Sequence, residues 1–96
     1  MGVDIHDAAK RGNTSAIAEY IRAGGNLYWQ DRQGNPPLHV ASLYGKEASV
    51  AALLGAGVDP AALNAKGETP LALAERNGHY GCASVLRGDS PPTPRR

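Results

Sequence analysis

The sequence predicts an all-α solenoid of three helix-turn-helix units joined by hairpin-like loops. Three observations predict it. The chain echoes itself at an offset of 33 residues. The echo falls on glycine, proline and apolar positions, where backbone geometry restricts the choice of residue. Between those positions apolar residues recur at i, i+3 and i+4, the spacing of one helix face. Gly34 falls on Gly67, Pro37 on Pro70, Leu38 on Leu71, Ala41 on Ala74, Gly45 on Gly78 and Leu53 on Leu86. Counted backwards, Leu38 meets Ile5, His39 meets His6, Ala41 meets Ala8, Gly45 meets Gly12, Val50 meets Ile17 and Asn64 meets Asp31.

The elements follow from the middle unit. Pro37 opens its first helix, where a missing N–H costs nothing. Leu38, Ala41, Leu43 and Tyr44 lie along that helix, and Gly45 ends it because the stop needs a residue tolerant of positive φ. The second helix is expected over residues 47–55, with Val50, Leu53 and Leu54 on one face. Ala56-Gly57-Val58-Asp59-Pro60 breaks it and starts a loop running to Thr69-Pro70. By the same offset, the first unit has helices over 4–10 and 14–22, with Thr14 as N-cap. The third has helices over 71–77 and 81–86, and residues 27–33 and 61–66 project as hairpin-like loops. The repeats then cover about 2–33, 34–66 and 67–87, one domain over 1–87, before a Pro- and Arg-bearing tail over 88–96 that is expected to be disordered.

Gly67-Glu68-Thr69-Pro70-Leu71-Ala72-Leu73-Ala74 and Asn35-Pro36-Pro37-Leu38-His39-Val40-Ala41 carry a further signal. With Leu53-Leu54-Gly55-Ala56-Gly57-Val58-Asp59-Pro60 and Ile21-Arg22-Ala23-Gly24-Gly25-Asn26, they resemble the ankyrin repeat over nearly the whole chain, from Val3 to Arg87. The resemblance implies a rigid stack whose first helices and loops line a concave groove, and a protein-binding rather than catalytic role. Three departures stand out. The threonine expected before the proline is Pro36 in the middle unit, which removes the hydroxyl that would brace His39. The histidine after the leucine is Ala72 in the third unit. Arg87 replaces an apolar residue, as suits an end repeat that must face water.

Composition narrows the function classes. A chain of 96 residues holds one small domain, too small to afford a deep catalytic cavity. Ten basic residues against nine acidic give a net charge of +1, without the concentrated basic face of a sequence-independent nucleic-acid binder. One cysteine, Cys82, permits neither an intrachain disulfide nor a multi-cysteine zinc site, and points to a reducing compartment, the cytosol or nucleus. No run is long and apolar enough to span a membrane. No metal-protease, phosphate-loop or nucleophile-elbow motif occurs, so no enzyme and no cofactor is expected.

His6 and His39 hold equivalent repeat positions, which favours backbone-bracing over catalytic roles, and Cys82 reads as a buried, inert thiol. The candidate contacts lie elsewhere. Trp29, whose repeat counterpart is the small Ala62, either packs over the open edge of the first unit or anchors a partner. Leu43 and Tyr44 sit where the resemblance places the concave groove, flanked through the repeat by Lys10 and Arg11 on one side and by Arg76 and Asn77 on the other. That predicts an apolar centre with basic flanks, suited to an acidic, partly apolar partner. Loop tips add Arg32, Gln33, Asn35, Ala65, Lys66 and Glu68. In the tail, Arg87-Gly88-Asp89 spells an integrin-ligand tripeptide, discounted for lack of secretory features. Pro91-Pro92-Thr93-Pro94-Arg95-Arg96 has SH3-ligand spacing, and Ser90 and Thr93 precede prolines as phosphorylation sites do. The leading expectation is a monomeric module that binds a protein or peptide, with no nucleic acid or membrane involved. The alternative is a spacer segment of a larger protein.

Overall fold

The computed structural model describes residues 2–88. Six helices run in chain order: α1 (Ile5–Arg11), α2 (Thr14–Arg22), α3 (Pro37–Tyr44), α4 (Glu47–Gly55), α5 (Pro70–Arg76) and α6 (Tyr80–Arg87). They pair as α1/α2, α3/α4 and α5/α6, and the pairs stack in series, α1 on α3 on α5 and α2 on α4 on α6. Each pair is thus one repeat, and the core lies between layers rather than at a single centre.

The helix ends follow local chemistry. Asp4 caps α1 by accepting from the Asp7 amide, and Thr69 caps α5 by accepting from the Ala72 amide. Asn13, not Thr14, caps α2, through its carbonyl oxygen and the Ala16 amide. Thr14 becomes the first helical residue because Asn13 already supplies the acceptor. Pro37 and Pro70 occupy first-turn positions, so α5 begins one residue earlier than expected. It also ends one earlier, where the Asn77 side-chain amide donates to the Leu73 carbonyl. The middle unit matches its expected bounds, and Gly45 closes α3 at φ +73°.

Burial reflects position in the stack. Every residue of α3 from Pro37 to Ser42 is buried, because α3 alone is flanked by both neighbouring inner helices. In α2 only Ile17 is buried. Buried and half-buried polar groups tie the layers together. The Ser49 hydroxyl of α4 donates to the Ala9 carbonyl of α1 at 3.1 Å, and Nε2 of His79 lies 3.1 Å from the Leu43 carbonyl. At the first end, the Tyr20 ring lies over Gly25 and its hydroxyl donates to the Asn26 carbonyl. At the other, Arg87 pairs with Glu75 at 3.3 Å. Cys82 is buried, and burial pushes its thiol above the ordinary value, with Glu47 adding to the effect.

The loops are not strands. Among the described residues no strand forms, and the expected hairpins are stacked turns. Asp31 accepts through Oδ1 from the Gln33 and Asn35 amides, and Asn64 repeats the arrangement with the Lys66 and Glu68 amides. A side chain thereby satisfies amides that a strand ladder would have used. One backbone bond, Ala65 N–H to the Gly34 carbonyl at 3.0 Å, joins the two loops.

His39 is fully buried and donates from Nε2 to the Glu68 carbonyl, which leaves Nδ1 without a partner. The missing hydroxyl at Pro36 is the reason, since Thr69 fills that position in the next repeat. Pro36→Thr is expected to add a helix cap and a donor for Nδ1, a gain of about 1 kcal/mol after the loss of proline's rigidity. Burial also holds the imidazole below its ordinary pKa of 6.5, against the opposing Glu68 carbonyl bond. The unfolded chain therefore takes up a proton first, and stability falls as pH drops below about 6.5 towards the lower folded value. Urea unfolding of both forms at neutral and mildly acid pH checks both effects. An unstable Pro36→Thr variant, or a flat acid profile, contradicts this account.

Candidate functional site

The inner helices and the loops bound a groove in two connected parts, sharing Gln33, Asn35 and Leu43. The part over the second and third repeats, about 210 Å³, is lined by Lys66, Glu68, Leu73 and Arg76 as well. The part over the first and second, about 330 Å³, is walled by Asp4, Asp7, Lys10, Asp31, Val40 and Tyr44. A third, more open hollow of about 700 Å³ lies beneath Trp29, bounded by Gly2, Val3, Asp4, His6, Asp31 and Arg32.

Tyr44 is 44% exposed at the end of α3, and the Lys10 ammonium sits 5.2 Å from its ring centroid. That cation–π contact fixes the ring without burying it. Leu43 is half-buried, and its carbonyl receives His79. Trp29 is 54% exposed on a braced loop. His6 Nε2 donates to the Trp29 carbonyl, and the two rings meet edge-on at 5.3 Å. The Tyr28 hydroxyl accepts from the Asp59 amide, which pins this loop to the next. A large, rigid aromatic held in water is the form interface anchors take.

Several expectations change. Asn35 is only 7% exposed, and it accepts from the Asn64 side-chain amide between loops. It is a loop brace at the groove floor rather than a tip contact. Asn77 spends its amide on the Leu73 carbonyl, although it remains exposed. Arg32, Gln33, Ala65 and Lys66 are exposed, as tip residues should be. Glu68 is half-buried: Asn64 and then Arg76 hold its carboxyl below the usual range. The basic flanks are largely neutralised. Arg11 pairs with Asp7 at 2.9 Å, one helical turn away, and Arg76 pairs with Glu68 at 2.8 Å. The first-repeat half of the groove is lined instead by Asp4, Asp7 and Asp31 beside Lys10, and among the described residues only Asp7 of these carboxylates is paired, with Arg11. The expectation of a groove with basic flanks is corrected accordingly.

Sequence reasoning missed Asp4, Asp7 and Asp31 as wall residues and Asn64 as the inter-loop link. The Asp31–Asn64 echo was the available signal: two side-chain acceptors at one repeat position mark a shared turn. Among the described residues no three His, Cys, Asp or Glu side chains gather as a metal site would need, and no helix is long and apolar enough to cross a membrane. The tail motifs at Asp89, Ser90 and 91–96 lie outside the described residues.

Helix pairs stacked in series with an inner groove are the architecture that the sequence resemblance implied. A sequence model of ankyrin repeats matches residues 5–93 in three copies. The chain belongs to the ankyrin-repeat family. No curated protein matches it closely enough to supply a named relative. Ankyrin repeats are in general protein-binding, non-enzymatic modules.

Proposed function

We propose that this ankyrin array binds an extended segment or surface loop of another protein along its concave face. Trp29, Arg32, Gln33, Leu43, Tyr44, Lys66, Glu68, Arg76 and Asn77 would provide the contacts. One observation carries the reading: Tyr44 is nearly half exposed, held in place by Lys10, and open to the groove. A residue so placed adds little to the core and much to a contact surface. The module acts as a monomeric scaffold or adaptor piece without a cofactor. The single, buried Cys82 suits the reducing cytosol or nucleus.

Tyr44→Ala tests the reading by affinity capture from the native cell. Stability is expected to change by no more than about 0.5–1 kcal/mol, since the ring is largely outside the core. The captured proteins are expected to fall away. An unchanged captured set with Tyr44→Ala, with the fold intact, contradicts the proposal.

A further inference from the structure

We infer that the hollow beneath Trp29 receives an arginine side chain of the partner protein, its guanidinium set against the Asp4 and Asp31 carboxylates and its flat face against the indole. The inference rests on the concave-face reading and specifies what one end of that face recognises.

The hollow is an open, partly apolar groove whose rim sets the chemistry of its occupant. Asp4, His6 and Asp31 line both this hollow and the adjoining groove beside Tyr44, so they form the wall between them, and His6 is turned to the Trp29 carbonyl. Each carboxylate is held in place through Oδ1. Asp4 accepts from the Asp7 amide, and Asp31 from the Gln33 and Asn35 amides. Neither makes an ion pair within 4 Å among the described residues. The nearby cations are placed otherwise: Lys10 stands over Tyr44 and Arg11 is paired with Asp7. Arg32 is the one of these cations that lines the hollow itself, and the two carboxylates outnumber it there.

Two preorganised carboxylates beside an exposed indole match a planar cation with several donors. A guanidinium donates to carboxylates in a fork and stacks on an aromatic face, and it is weakly hydrated. An ammonium offers neither the fork nor the plane. An acidic segment would bring like charges together at this wall, which costs association. The partner segment would then run from the hollow along the inner groove past Tyr44.

The test selects displayed random short peptides on the immobilised full chain. Synthetic copies of the best binder are then titrated by the fluorescence of Trp29, the chain's one tryptophan. Selected sequences are expected to share an arginine beside an apolar residue. Replacing that arginine with neutral, isosteric citrulline is expected to weaken binding about tenfold or more. Asp4→Asn/Asp31→Asn is expected to match that loss with an unchanged melting temperature, because asparagine keeps the acceptor oxygen each turn uses. A shared sequence without arginine, or equal binding by the citrulline peptide, overturns the inference. If such peptides still lose affinity with Tyr44→Ala, the concave-face reading survives alone. Should no selected peptide lose affinity with Tyr44→Ala or with Asp4→Asn/Asp31→Asn, both readings fall.

Discussion

Leu38→Ala is expected to remove about 2–5 kcal/mol of stability, while the same truncation one repeat later, Leu71→Ala, removes about 1 kcal/mol. Leu38 is 1% exposed on α3, which packs against α1, α4 and α5 together. Its cavity therefore opens at the centre of the stack and cannot collapse from one side. Leu71 is half-buried on α5, the last inner helix among the described residues, and water reaches the space it leaves. Small domains have only about 5–15 kcal/mol to lose, so the central change removes a large fraction of the total. Urea unfolding of the two variants gives the comparison directly. Equal losses would mean that the described repeats do not stack in the order α1, α3, α5.

Gly34→Ala and Gly67→Ala form a second pair, again at one repeat position. Both glycines have positive φ, +82° and +76°, where an L side chain is strained by about 1–2 kcal/mol. At Gly67 nothing lies within 4 Å of an added Cβ, so strain is the whole cost. At Gly34 the added atom runs into the Ala65 methyl. Relief requires the loops to part, which threatens the Ala65 N–H bond to the Gly34 carbonyl. A further loss of about 1–2 kcal/mol is expected there. Thermal melting separates the two, with Gly34→Ala several degrees lower. Coincident melting curves would show that the loops give way without cost.

The fold was legible because its signals are local and repeated. Gly45 and Pro37 recur as Gly78 and Pro70, each with a backbone reason, and the apolar face between them fixes each helix. The errors have equally local causes. Asn13 and Thr14 are both good caps, and only the structure shows which of them meets the Ala16 amide. The loops read as hairpins until Asp31 and Asn64 are seen to close them. The groove was legible in place but not in charge. Asp7 and Arg11 stand at i, i+4, so that pair was there to be read. Glu68 and Arg76 sit on a loop and a helix, and nothing in their spacing announces contact. Asn35 was mistaken for a tip residue because its burial depends on Asn64 of the following loop.

The Ser49 hydroxyl on the Ala9 carbonyl has a consequence for assembly. Its counterpart in the third unit is Cys82, a weaker donor, and the counterpart of the buried Ala9 and Ser42 is the charged Glu75. Were the units to slip by one place, the Ala9 oxygen would lose a good donor. Glu75 would enter a sealed layer, where an unpaired carboxylate is heavily penalised. The three units are therefore not interchangeable bricks: their small chemical differences spell an order, and a chain that misorders them pays in buried charge.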